Sequence, residues 1–336
     1  MKNSLTRTLI IAAAALSATA CQQETSVDTD ETKTVEVTVG LPQGISSYAD
    51  GQLPEGRFSN LGGAYNVDPA QYDLRYIMEA WTDETPSRLA YRQTVTVDND
   101  FINTSVKFTA RLVAMEYNFI FWADFVPQGT SEDHVYNTSS TNGLQEITIS
   151  SEGRQAGNEY ADAYYASKPV DLTLSGQSIG KVELTRPFGK IRLIATDAVD
   201  GQLGDRPGTA TVTYGTDLTL PGTFNALTGK ASGSVAAGQY TFTVYQETAT
   251  VQGYEPIEDA YIIGSDYIFA SDASTSYAFG VQVFSSLDQN RKIGEKQLSQ
   301  IPLEKNKLTT LVGNFYSNEG DVEIIISDTF DNPENI

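Results

Sequence analysis

Apolar and polar residues alternate with a period of two along short runs that recur over most of the sequence. Each run is rich in β-branched and aromatic residues and is bounded by Gly, Asn, Asp or Pro. Successive side chains of a strand point to opposite faces of a sheet, so this period predicts strands with one buried face. The clearest runs are residues 34–39, 92–97, 146–149, 239–245 and 322–326.

Helical signals are weak by comparison. No window of a dozen residues keeps apolar side chains at helical spacing behind a capping residue. Parallel α/β folds need long crossover helices, whereas short strands separated by turns favour antiparallel sandwiches. The sequence therefore predicts an all-β protein with few helices.

The length of the chain favours two hydrophobic cores. Roughly 300 residues follow position 33, which is more than one core usually organises. Gly and Ser dominate residues 175–180 and separate the apolar runs 170–174 and 181–184. We therefore predict two tandem antiparallel β-sandwich domains, transthyretin-like in type, at residues 34–176 and 180–336.

The first twenty residues have the order of a secretory signal. Basic Lys2 and Arg7 precede an apolar stretch that begins at Leu9, and small residues follow it as far as Ala20. The apolar stretch is shorter than the roughly 20 residues that span a bilayer. We therefore predict a signal peptide at residues 1–20 rather than a transmembrane helix.

Cys21 is the single cysteine of the chain, and it directly follows the small residues of the predicted signal. This position predicts cleavage by a lipoprotein signal peptidase and acylation of Cys21, the alternative being a free thiol in the leader. Several acyl chains would anchor the protein to outer-membrane lipid in a Gram-negative cell. Residues 21–33 are polar and acidic and predict a flexible, lipidated tether. Either side of the outer membrane fits this anchor, and Glu24 favours the cell surface.

The chain is strongly acidic, with 22 Lys+Arg against 43 Asp+Glu and a formal net charge of -21. Nucleic-acid binding needs a basic stripe that neutralises phosphates, and the sequence has none. We therefore exclude nucleic acid as a partner.

Catalytic and metal-binding motifs are absent from the sequence. His134 is the only histidine and lies in a polar segment that predicts a solvated loop, so neither a histidine metal site nor a Ser-His-Asp triad is expected. The acidic end at residues 328–335 lacks the spacing of a calcium loop. Paired carboxylates stay open as a glycosidase arrangement. We predict no catalytic residue, no metal and no cofactor, and an enzyme is the least favoured class.

Several segments, in order, resemble those of the fimbrillin-like lipoproteins, the family of type V pilus subunits and their relatives. The segments are residues 162–166 late in the first half, residues 181–193 at the start of the second half and residues 306–314 near the end. The resemblance implies a pair of β-sandwiches used for assembly or adhesion.

In polymerising members of that family, an arginine-specific protease cuts after the first strand, and a neighbour's terminal strand fills the groove that is left. The resemblance implies a cut between Arg57 and Phe58 in the loop at residues 50–58. The exchanging strands would be the two apolar runs at the ends of the chain: Val35, Val37 and Val39 in the first, and Val322, Ile324 and Ile326 in the last. Two alternatives stay open: Arg57 is an ordinary loop arginine, and the last strand completes its own sandwich.

Two functional interpretations lead. The first is a fimbrillin-like cell-surface lipoprotein, a structural or adhesive subunit or anchor of a surface filament assembled by strand exchange with other pilus subunits. The alternative is a non-polymerising surface lipoprotein that binds glycan or host protein through its loops.

Overall fold

The computed structural model of the protein describes residues 32–42, 67–99, 105–174, 179–197, 206–316 and 320–327. The predicted all-β class is confirmed: within these ranges the only helical elements are two 3-10 turns, Gly143–Gln145 and Glu159–Ala161. Over the same ranges, no helix has the length and apolarity that a membrane span requires. The predicted signal peptide, Cys21, Arg57 and Phe58 lie outside the described residues.

Two sheets enclose the first hydrophobic core. The strands of this part of the chain are β1 (Thr32–Gly40), β2 (Tyr72–Thr82), β3 (Leu89–Asp98), β4 (Ser105–Val113), β5 (Glu116–Pro127), β6 (Tyr136–Asn137), β7 (Ile147–Ile149), β8 (Ala163–Asp171) and β9 (Gly180–Glu183). One sheet has the order β4-β1-β9 and the other β3-β2-β5-β8. Alternate side chains of both sheets, among them Val37, Phe108 and Phe121, are buried between them.

The two neighbours of β1 run in different directions. β4 is antiparallel to β1, whereas β9 is parallel to it, with Val37 opposite Gly180 and Gly40 opposite Glu183. A parallel pair cannot be joined by a tight hairpin. Here the intervening chain builds the rest of the first sandwich before β9 returns to β1. Residues 180–183 are therefore hydrogen-bonded into the first sandwich.

The second sandwich follows directly. The strands of this part of the chain are β10 (Phe188–Ala195), β11 (Pro207–Tyr214), β12 (Thr219–Leu220), β13 (Thr223–Asn225), β14 (Lys230–Ser232), β15 (Val235–Ala236), β16 (Gln239–Thr243), β17 (Tyr245–Ala249), β18 (Ile257–Phe269), β19 (Thr275–Ser285), β20 (Lys292–Leu303), β21 (Leu308–Gly313) and β22 (Val322–Ser327). A sheet of order β17-β18-β10-β21-β22 packs on one of order β16-β11-β19-β20. Most pairs are antiparallel, but β10 and β21 are parallel.

A third core joins the two sandwiches, and we call it the junction. A small sheet of order β14-β13-β7-β6 combines strands from both halves of the chain. Around it pack Trp122 from β5, Tyr136 from β6, and Phe188 and Phe269 from the second sandwich. The rings of Trp122 and Tyr136 meet edge to face at 5.5 Å, and those of Phe188 and Phe269 stack at 4.9 Å. Continuous apolar packing thus fixes one sandwich against the other.

Buried ion pairs reinforce the junction. Arg154 binds Asp266 of β18, with a nitrogen–oxygen distance of 2.5 Å. Arg186, between β9 and β10, binds Asp162 at 2.8 Å, and its guanidinium lies 4.8 Å from the centre of the Tyr164 ring. Pairing of this kind offsets the cost of removing the charges from water.

The third junction ion pair links Lys190 of β10 to Glu159 at 2.8 Å. Glu159 also accepts hydrogen bonds from the hydroxyls of Tyr267, at 2.6 Å, and Ser265, at 3.1 Å. Burial raises the pKa of Glu159, but the Lys190 ammonium and these hydrogen bonds together hold the pKa below its ordinary value. At Asp162 burial prevails over Arg186 and raises the pKa.

A carboxyl with a depressed folded-state pKa stabilises the protein above its unfolded pKa, and this contribution is lost as the pH falls. We therefore expect Glu159→Gln to reduce the free energy of unfolding by about 3 kcal/mol at pH 7. The gap between wild type and variant should narrow below about pH 4.3. Urea denaturation at pH 7 and below about pH 4.3 measures the difference in the free energy of unfolding. Glu258→Gln serves as the control, because Glu258 is exposed. The pKa of Asp162 is raised rather than lowered, so it adds its own pH dependence to the stability of both wild type and Glu159→Gln. The test is therefore the difference in the free energy of unfolding between these two proteins. A difference that does not change with pH would contradict the prediction.

Candidate assembly site

The first of the two predicted exchange strands is β1, which extends beyond the predicted run at both ends. Val35, Val37 and Val39 point into the first core and are at most 5% exposed. Burial of one valine side chain contributes about 1.5–3 kcal/mol. The opposite face of β1 is polar, and Glu36 pairs there with Lys107 of β4 at 2.8 Å. The alternation of the sequence therefore correctly predicts which face of β1 is buried.

β1 lies between two strands rather than at the edge of its sheet. It pairs with β4 along its whole length, from Thr32 opposite Val113 to Gly40 opposite Ser105. On its other side it pairs with β9. Removal of β1 would therefore open a groove with strands on both sides and the apolar residues of the first core at its floor.

The second predicted exchange strand is β22, and it occupies an edge. β22 pairs with β21, from Val322 opposite Gly313 to Ser327 opposite Leu308. The predicted alternative in which the last strand joins its own sandwich thus describes the position of β22 in this structure. Within the described part of the chain, no strand lies on the other side of β22.

The inner face of β22 is incompletely covered. Val322 packs against the second core, but Ile324 is 39% exposed and Ile326 is 40% exposed. These two isoleucines alternate along one face and are therefore neighbours on the same surface. An apolar strand at a sheet edge, with unpaired backbone groups, is a template for pairing with another chain.

The outer face of β22 is held by the body of the second sandwich. Ile325 packs on a cluster that includes Ile194, Ile262 and Val312. The Tyr254 hydroxyl donates a hydrogen bond to the Glu323 carboxylate, and this bond raises the pKa of Tyr254. β22 is thus fixed on one face, while Ile324 and Ile326 on the other face are partly exposed and none of the described strands pairs with its outer edge.

His134 differs from its sequence-based prediction as a solvated loop residue. Its ring is partly buried, 5.7 Å from the Tyr72 ring and 5.5 Å from the Tyr160 ring. Throughout the described ranges, no group of His, Cys, Asp or Glu is arranged to hold a metal ion.

The ion pairs of the junction, which lie outside β1 and β22, are not predicted by the sequence. Arg154 and Glu159 lie in a polar stretch that resembles an ordinary loop, and Asp162 opens the segment 162–166, whose family resemblance does not indicate an ion pair. The partners in each ion pair are distant in sequence, so no local spacing of charged residues indicates the pairs. Arg186 and Lys190 are the exception, because two basic residues that flank the buried Phe188 indicate that acidic partners lie nearby.

Comparison with solved structures assigns the class of this fold. The tip fimbrial protein Mfa3 from Porphyromonas gingivalis, with a C-terminal truncation, superposes with a TM-score of 0.50 at 10% identity, covering 88% of this chain and 100% of that one. A fimbrial protein from Bacteroides vulgatus matches with a TM-score of 0.47 at 10% identity, covering 88% of this chain and 98% of that one. The chain has the fold of a fimbrial protein, which confirms the predicted fimbrillin-like resemblance at the level of the fold.

Sequence comparison then places the chain in one family. Residues 25–336 match the family of unknown function DUF6562, and the chain belongs to that family. No curated protein matches the sequence.

Proposed function

We propose that this protein is a fimbrillin-like cell-surface lipoprotein that serves as a structural or adhesive subunit, or as the anchor, of a surface filament. The fold it shares with a tip fimbrial protein supports this assignment. The observation that carries it is β22, an edge strand with exposed Ile324 and Ile326. Assembly would use strand exchange and no catalytic chemistry.

In this proposal the two exchange strands have different roles. β22 is the donor, because none of the described strands pairs with its outer edge and its inner face is partly exposed. β1 fills the acceptor position, since its three buried valines and its two neighbouring strands define a groove of one strand's width. A cut between Arg57 and Phe58 would separate β1 from the body and allow its replacement.

The lipid anchor is the second part of the proposal. Acylated Cys21 would hold the protein in the outer membrane, and the acidic residues that follow would keep the body away from anionic headgroups. We expect radiolabelled palmitate to enter the wild-type protein in cells and to be absent from Cys21→Ser. Equal labelling of both proteins would refute the anchor.

Assembly is tested by changing the exposed face of β22. We expect Ile324→Lys combined with Ile326→Lys to abolish the ladder of surface material on an SDS gel run without boiling. Because both side chains are already about two-fifths exposed, the monomer should stay folded. Leu287→Lys is the matched control, since Leu287 is 80% exposed but lies outside the strands.

N-terminal sequencing of the same material tests the cut. A start at Phe58 in the ladder supports strand exchange after cleavage. A ladder that persists in the double variant would remove β22 from assembly. A lipidated monomer that begins at Cys21, with no ladder, would favour either a basal anchor or the alternative function of binding glycan or host protein through loops.

A further inference from the structure

We infer that β1 is a mechanical clamp, a strand placed so that a pull on its N-terminal end loads all of its backbone pairs together. The inference rests on the proposed function, because an N-terminal anchor is what would apply this load. It goes beyond that function in assigning β1 a role in the uncut chain.

β1 has its C-terminal end near the junction and its N-terminal end remote from it. At its C-terminal end, the Gly40 carbonyl accepts a hydrogen bond from the Leu184 amide at 2.9 Å. Four residues after Leu184, Phe188 lies in the junction. The other end, Thr32, is eight residues away along the strand, about 26 Å at the usual rise. The N-terminal end of β1 thus points away from the second sandwich.

A force between the N-terminus and the second sandwich therefore acts along the axis of β1. The antiparallel register with β4 runs from Thr32 to Gly40, and the parallel register with β9 runs from Val37 to Gly40. Backbone hydrogen bonds lie across the strands. An axial pull must consequently shear these bonds at the same time, and it must also drag Val35, Val37 and Val39 through the first core.

The parallel partner completes the path of the load. β9 runs in the same direction as β1 and continues through Arg186, which is bound to buried Asp162, into β10. Force that enters at Thr32 crosses the hydrogen bonds into β9 and leaves from the C-terminal end of β9. A hairpin partner would behave differently, because its near end lies beside the pulled end and the pairs would open one after another.

Two double-cysteine variants allow β1 to be pulled in two different directions. Each variant has two attachment points for the pulling instrument, here called handles, and the handle at residue 32 is common to both. In both, the full chain carries Cys21→Ser and Thr32→Cys, so that the handles react only at introduced cysteines. Adding Glu183→Cys places the second handle at the C-terminal end of β9 and shears β1. Adding Val113→Cys places it on the residue opposite Thr32 and unzips β1 from β4.

Single-molecule pulling at one loading rate then compares the two proteins. Forced unfolding is governed by the barrier to rupture, which differs between directions even when the free energy of unfolding is the same. We expect a rupture force severalfold higher in the shear geometry. In both geometries the first event should release the stretch from Thr32 to Gln71, which includes β1 and is roughly 40 residues long, at about 3.5 Å of contour length each.

Equal rupture forces would overturn the inference, as would a lower force in the shear geometry. Urea denaturation of the two variants shows whether the introduced cysteines alter the free energy of unfolding. The rupture forces of the two variants are then compared after correction for any difference in this free energy. The measurement needs neither lipid nor filament. A failure here would leave the proposed assembly function intact, and a failure of assembly would leave the clamp intact.

Discussion

Trp122→Ala is expected to lower the free energy of unfolding by about 3–5 kcal/mol, the usual cost of removing a buried tryptophan. Trp122 is 0% exposed and lies on the face of β5 that forms the junction. Its loss would leave a cavity between the two sandwiches beside Tyr136. Urea denaturation followed by both fluorescence and circular dichroism measures the effect.

Trp122→Phe is the matched variant for this prediction. The indole nitrogen of Trp122 has no hydrogen-bond partner within the described residues, so phenylalanine removes volume without breaking a bond. We expect a loss clearly smaller than that of Trp122→Ala. A loss below about 1 kcal/mol for the alanine variant would show that the junction contributes little to stability.

Glu79→Ala is expected to have an effect of similar size. Glu79 is 0% exposed on β2 and forms an ion pair with Arg92 of β3. It also accepts hydrogen bonds from the Trp81 indole at 2.7 Å and from the Leu144 amide at 2.9 Å. Breaking a buried pair from one side costs about 3–5 kcal/mol. Here the Trp81 indole and the Leu144 amide would stay buried without their acceptor. Arg92, by contrast, is 25% exposed and would keep its hydrogen bonds to Thr138, so we expect the lower end of this range.

The chain offers an exposed counterpart as the control for Glu79. Glu84 pairs with Arg88 at 2.7 Å, but both side chains are largely exposed. Exposed pairs contribute about 0–1 kcal/mol, so Glu84→Ala should be nearly neutral in the same urea titration. Equal losses for the two variants would contradict the structural role of Glu79.

The sequence predicts which face of a strand is buried more reliably than it predicts which other strands pair with it. Alternation in β1 predicts the buried valines, because burial of one face depends on local periodicity. It contains no information on β9, which lies some 140 positions further along and pairs in parallel. β6 and β7 are two and three residues long, too short to show any period.

β2 shows how a charged residue within an apolar run can signal structure. Leu74, Tyr76 and Met78 face the first core, while Ile77 faces the junction, so the strand is buried on both faces. Arg75 in such a strand must therefore have a buried partner. The sequence indicates that need, but Asp124, which forms a 2.7 Å pair with Arg75, is 49 positions away and is found only in the fold.

The shared sheet of β6, β7, β13 and β14 affects how the protein can change during evolution. Neither half of the chain has a complete set of hydrogen-bonded neighbours for these four strands, since β7 pairs with β13 across the midpoint of the sequence. Recombination between relatives near residues 175–180 would bring together β7 and β13 segments that had not been selected as a pair. Such recombinants are therefore expected to lose stability at the junction, because the β7–β13 pair and the apolar residues around it come from different halves of the chain.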